Sequence, residues 1–188
     1  ENFYHAIKLG QSPLGKHYYP AFPYPAYSRM LDSDIVDLWS FWQTLPVSNE
    51  PSKDHKLFLP FNMRSNIGIW KRLFLRQEFV GDAKNSSTYL VEALAHCAEC
   101  HTPRNSFGAL NSKKWMRGAA NPSGKGKIPS IHPRDLKWTS GEIAEYLRSG
   151  LTPEYDVAGG NMALVVENLS KLSNEDLEAI ALYIKNVK

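Results

Sequence analysis

Apolar residues recur at helical spacing in several stretches of the chain, and alternating β-branched runs of the kind a half-buried strand needs are sparse. From about Asp32 to Leu45, Ile35, Leu38, Phe41 and Trp42 form one stripe; near the C-terminus Leu177, Ile180, Ala181 and Ile184 form another. Each stripe follows a capping residue and first-turn acids, Asp32 and Asp34 in one case and Glu175 and Asp176 in the other, where the helix dipole favours negative charge. Aligned on these helix starts, Ser28–Leu38 and Ser170–Ile180 share one pattern, which predicts an internal repeat. Trp138–Gly150 reads as a capped helix facing inward with Ile143 and Leu147, ended by Gly150 and kept from continuing by Pro153. Residues 87–98 read as the body of a further helix. The predicted class is mostly α.

Between these halves, residues 46–55 are polar and proline-flanked, as a linker is, while 57–79 is rich in large apolar residues. Ile67, Ile69, Trp70, Leu73 and Phe74 alternate with Arg64, Lys71, Arg72 and Arg76. The run is too short and too charged to span a bilayer, and suits a segment covering a neighbouring domain of the same chain better than one lying on a partner or a membrane surface. A length of 188 residues allows one large or two small domains. The formal charge of +3, with no basic recognition helix, excludes nucleic-acid binding as the main role. Lys113, Lys114, Arg117, Lys125 and Lys127 cluster in a Gly/Ser-rich stretch that reads as a solvated loop rather than a docking patch.

Chemistry enters with Cys97-Ala98-Glu99-Cys100-His101, the C-x-x-C-H spacing of covalent heme attachment. Two thiols one helical turn apart can add to the two porphyrin vinyl groups, and the next residue then faces the iron. His101 is the expected proximal ligand, its other ring nitrogen donating to a backbone carbonyl. A structural zinc site wants four ligands, yet Cys97 and Cys100 are the chain's 2 cysteines and His5, His17, His55, His96 and His132 are scattered. A thioredoxin-like dithiol should open a helix after a buried strand, whereas a helix leads into this motif. For the distal ligand a Met on a C-terminal loop is required. Met162, after Ala158-Gly159-Gly160-Asn161, fits that place better than Met116, which sits among Lys113, Lys114 and Arg117.

Residues 86–188, through Cys97-Ala98-Glu99-Cys100-His101-Thr102-Pro103-Arg104-Asn105 and Gly160-Asn161-Met162-Ala163-Leu164-Val165-Val166, resemble a class I c-type cytochrome domain. The likeness extends to the multiheme cytochrome c subunits that accept electrons from periplasmic dehydrogenases. The resemblance implies a cytochrome c fold in the C-terminal half, Pro103 packed beside the proximal histidine, and Arg104 and Trp138 near the heme propionates. Tyr18-Tyr19-Pro20-Ala21-Phe22-Pro23-Tyr24-Pro25-Ala26-Tyr27 followed by Met30 and a helix resembles the end of a preceding cytochrome domain. That gives a division into a partial cytochrome-like domain at 1–46 without its own heme motif, a linker and apolar covering segment at 47–85, and a heme domain at 86–188. Phe22 and Met30 are taken as core candidates. The expected cofactor is one covalent heme c in the chain as it stands.

By the same resemblance the expected function is periplasmic electron transfer between Fe(III) and Fe(II), without a catalytic residue. The partners would be a dehydrogenase donor and a cytochrome or oxidase acceptor, in a larger membrane-associated complex. No leader is visible at Glu1, so a processed or truncated chain is expected. The competing class is a heme enzyme whose distal site is open or exchangeable, of a peroxidase-like or sulfur-oxyanion kind; occupancy of the iron by Met162 separates the two. An assembly module, with the aromatic N-terminal half as its interface, is compatible with the carrier role.

Overall fold

A computed structural model describes residues 1–188 except Ser52 and Ser123. The chain is mostly helical and divides into two compact units, Glu1–Glu78 and Phe79–Lys188.

In the first unit, α1 (Asn2–Leu9) ends at Gly10, whose φ of 57° is the left-handed conformation that glycine adopts without strain. A short loop closed by a bridge between Gln11 and His17 leads to α2 (Tyr24–Tyr27) and α3 (Asp32–Trp42). Ile7, Tyr24, Ala26, Met30 and Ile35 form the buried centre. Of the apolar run at 57–79, α4 (Ser65–Phe74) is the helical part; Ile67 is buried while Ile69 and Leu73 remain exposed. Lys71 is buried to 9 % exposure. Its ammonium donates to the carbonyls of Leu9 (2.5 Å) and Gly10 (2.8 Å) and lies 4.5 Å from the centre of the Tyr24 ring. A lysine from a distant helix therefore satisfies the open end of α1, a role that its place among surface cations does not reveal.

The second unit contains α5 (Ser86–Tyr89), a π-turn over Leu90–Leu94, α6 (Ala98–His101), α7 (Ser140–Ser149), α8 (Asn161–Leu169) and α9 (Asn174–Asn186). A two-stranded antiparallel hairpin, β1 (Ala119–Ala120) with β2 (Lys127–Ile128), supplements them. The expected unbroken helix over 87–98 is therefore interrupted. Ala95 N–H bonds to the carbonyl of Leu90 (2.8 Å), one residue beyond α-helical spacing, and His96 takes φ 42°. The wider turn places Val91, Glu92 and Ala93 all in the interior. By contrast α7 follows its local signals: Thr139 and Glu142 form a reciprocal capping box, Gly150 closes the helix at φ 78°, and Ile143 and Leu147 are buried.

The internal repeat extends further than the helix starts on which it was aligned. Gly10 and Gly150 are both left-handed caps, followed by Pro13 and Pro153 in loops bridged at Gln11–His17 and Leu151–Val157. Tyr18 N–H returns to the Gly10 carbonyl as Ala158 N–H returns to that of Gly150, both at 2.8 Å. At equal distance along the chain from the glycine, Phe22 stands where Met162 stands. The ring of Phe22 is exposed and meets the edges of Tyr18 and Tyr27, so it is no core residue, whereas Met30 is buried. The two stripes also differ. Leu177, Ile180, Ala181 and Ile184 are all buried, but of the first stripe Ile35 is 2 % exposed while Phe41 and Trp42 stay 60 % and 54 % exposed. α9 packs against α7, α5 and the π-turn, whereas α3 packs against α1, with Phe3 reaching Trp39 and Trp42.

Candidate functional site

Cys97 caps α6, and the bonds from Cys100 N–H (3.3 Å) and His101 N–H (2.9 Å) to its carbonyl wind the motif into a single turn. Cys97 is half-buried and Cys100 exposed, and the two form no disulfide with each other. Burial pushes the Cys97 thiol up to about 12, and burial together with the Glu99 carboxylate raises that of Cys100. A dithiol redox pair needs the opposite shift, since the thiolate is its nucleophile. The surroundings of Cys97 and Cys100 favour neutral sulfur, the form that a thioether keeps permanently.

His101 is buried, and its Nδ1 lies 2.8 Å from the carbonyl oxygen of Pro129. A carbonyl only accepts, so Nδ1 carries the proton and Nε2 keeps the lone pair a metal requires. Desolvation lowers the pKa of the imidazole, opposed by the Pro129 bond. The carbonyl is held in place from both sides. Ile131 N–H (2.9 Å), His132 N–H (3.1 Å) and the Ser130 hydroxyl (3.2 Å) all donate to the Met116 carbonyl, while Met116 N–H donates to Thr102 Oγ1 (3.0 Å). Gly118 N–H donates to the His101 carbonyl at 2.7 Å. A side chain on Gly118 would meet the Ile128 carbonyl at 2.7 Å, so the close return of this loop requires glycine. Sequence reasoning supplied a carbonyl for His101 but not Pro129, because the loop that brings it depends on the Met116–Thr102 bond.

The two methionines occupy different settings. Met116 is fully buried at φ 58° and acts through its backbone as the hub just described. Met162 lies in the first turn of α8, after Gly159 and Gly160, and packs against the core cluster that Cys97, Leu110, Ile131 and Trp138 also touch. In the stretch of chain flanking Met162, Leu151, Val157, Leu164 and Val165 are exposed, apolar side chains of the kind that a flat hydrophobic group covers. The neutral imidazole, the paired thiols, the thioether and these apolar side chains all suit a covalently held heme.

Arg104 pairs with Glu99 of the motif (2.5 Å) and donates to the Gly108 carbonyl (2.9 Å), bracing the turn that follows His101. Pro103 accepts from Asn111 N–H at 2.8 Å. The Trp138 ring lies 5.3 Å from that of Tyr146, and its carbonyl accepts from Lys185 at 2.9 Å. A further group had no signal in the sequence. Glu92, 1 % exposed, accepts from Val80 N–H (2.8 Å), Gly81 N–H (2.7 Å) and the Tyr183 hydroxyl (2.6 Å), and Tyr183 in turn accepts from Trp115 Nε1 (3.0 Å).

No family model matches the chain. It is 46% identical over 187 residues to a "Diheme cytochrome c-type" of Cereibacter sphaeroides, an alignment covering 97% of this chain and 63% of that protein. It is 33% identical to the "Fructose dehydrogenase cytochrome subunit" of Gluconobacter japonicus, over 100% of this chain and 40% of the relative. To the "Alcohol dehydrogenase (quinone), cytochrome c subunit" of Gluconobacter oxydans it is 30% identical, over 100% and 43% respectively. The chain thus spans less than two thirds of the length of each of these relatives. The first of them corrects the heme count. A diheme relative at this identity points to two hemes, where the C-x-x-C-H count in the sequence had led to an expectation of one.

Proposed function

The chain belongs to the c-type cytochromes, and on that premise we propose that it carries electrons in the bacterial periplasm as part of a dehydrogenase complex. Bound heme supplies a one-electron iron couple. Cys97 and Cys100 would hold it through thioethers, with His101 Nε2 and the Met162 sulfur as the donors offered to its iron. The exposed apolar Leu151, Val157, Leu164 and Val165 would be available to shield the ring from water. With His101 and Met162 both bound, the iron would have no position left for a substrate, and the group would pass electrons without making bonds. The donor is the dehydrogenase, in keeping with the names of the relatives, and the acceptor is a downstream cytochrome or oxidase.

The observation that carries this reading is the Nδ1–Pro129 bond, because it prepares His101 as a ligand on the very turn that bears both thiols. The exposed Phe41 and Trp42 of the first unit, on the helix that repeats α9, offer a face for the second heme that the diheme relative implies. Visible spectra of the purified protein test the proposal. Sharp c-type bands after reduction, with the weak far-red band of thioether on ferric heme, support it. C-type bands without the far-red feature would replace Met162 by another distal group or an open site, and no heme bands would overturn it.

A further inference from the structure

We propose that Glu92 is a positioning residue for the electron-transfer site, a buried carboxylate that orders Tyr183 and biases the adjacent metal centre toward its oxidised state. This rests on the heme reading above. The hydrogen bonds have a single direction. Trp115 Nε1 can only donate, so the Tyr183 oxygen accepts from it and directs its own proton to Glu92 at 2.6 Å. Val80 and Gly81 N–H can also only donate, one to each carboxylate oxygen. These three donors, Val80 N–H, Gly81 N–H and the Tyr183 hydroxyl, all aim their protons at the Glu92 oxygens, as donors to a carboxylate do. Burial beside this carboxylate carries the Tyr183 phenol above its ordinary range, which keeps the hydroxyl a donor.

The location gives the group its consequence. Glu92 lies in the π-turn directly before Cys97, and Cys97 N–H bonds back to the carbonyl of Val91, the neighbour of Glu92 (3.3 Å). Trp115 and Tyr183 belong to the core cluster against which Cys97 and Met162 pack. A negative charge in a low-dielectric interior is screened far less than one in water. It favours the form of the centre with the greater positive charge. The π-turn is what admits the carboxylate to the interior, and Gly81 allows the bonded segment to approach, since a Cβ there would lie 2.8 Å from Thr88 Oγ1 and 2.9 Å from Tyr183 Cε2.

The test is a spectroelectrochemical titration of the full-length, heme-loaded protein and its variants, with thermal unfolding alongside. Glu92→Gln keeps the shape and removes the charge, so its midpoint potential is expected to rise. Tyr183→Phe removes a donor that draws off the charge, so its potential is expected to fall; Trp115→Phe should fall in the same direction by less. All three should unfold at lower temperature. Opposite shifts in potential with a common loss of stability are the signature, because a merely structural role would not separate the variants by sign. Unmoved potentials, or shifts of one sign in Glu92→Gln and Tyr183→Phe, would overturn the proposal. If Glu92→Gln does not fold, the fall in Tyr183→Phe and Trp115→Phe carries the test, and wild-type potentials in both would overturn it. Absence of c-type bands in the unmodified protein would overturn the heme reading itself, a separate result.

Discussion

Two glycines at matching places in the repeat separate backbone strain from lack of space. Gly10 and Gly150 have φ 57° and 78°, so an alanine at either pays for the left-handed conformation, about 1–2 kcal/mol. Their surroundings differ. A Cβ on Gly10 would lie 2.5 Å from ring carbons of Tyr24, which is fully buried and pinned under the Lys71 ammonium. A Cβ on Gly150 would meet Val166 at 3.5 Å and Ala158 at 3.7 Å, ordinary contact distances. Overpacking adds about 1–3 kcal/mol. Gly10→Ala should therefore cost about 2–5 kcal/mol against about 1–2 kcal/mol for Gly150→Ala. In a unit of this size each kcal/mol lowers the melting temperature by about 4–8 °C. Urea unfolding followed by tryptophan fluorescence and by circular dichroism gives both values. A Gly150→Ala loss equal to or greater than that of Gly10→Ala would refute the reasoning from Cβ space.

The other predictions concern the site and one buried charge. Met162→Ala should keep its covalent heme, lose the far-red band, fall in potential and bind carbon monoxide; unchanged potential and ligand binding would remove Met162 as distal ligand. Cys100→Ala should leave a single thioether through Cys97, seen as a red-shifted reduced α-band in the pyridine hemochrome spectrum, and an unshifted band would remove Cys100 from attachment. Burial lowers Lys71 to about 8 from 10.5, so between those values the unfolded chain holds a proton that the folded chain has shed, and stability rises with pH across that window. The gain is at most about 3.5 kcal/mol at ~1.4 kcal/mol per pKa unit. It is read as wild type minus Lys71→Met, so that alkaline titration of other groups cancels, and a difference that stays flat or falls from pH 8 to 10 would contradict it.

What could be read from the chain alone was what neighbouring residues decide among themselves. The capping box at Thr139 and Glu142, the stop at Gly150 and the buried stripe of α9 each depend on a few consecutive positions, and all were legible. So was the C-x-x-C-H turn, because its chemistry is set by spacing. The features that escaped are set by distant partners. Lys71 reads as a surface cation until α1 brings two carbonyls to it. Glu92 gives no signal in the sequence, because the π-turn that brings it inward and its partner Tyr183, far along the chain, are not set by its neighbours. Phe41 and Trp42 repeat the apolar spacing of α9 yet stay exposed, since periodicity reports that a face is apolar and not what covers it. The heme count failed for a related reason. A motif count registers attachment points within the residues at hand, whereas the first unit repeats the cap, loop and helices of residues 150–186 without the motif. The fold of Gly10–Trp42 repeats the order of left-handed cap, bridged loop and helices seen from Gly150 to Asn186, a likeness set by backbone geometry that the motif never encoded.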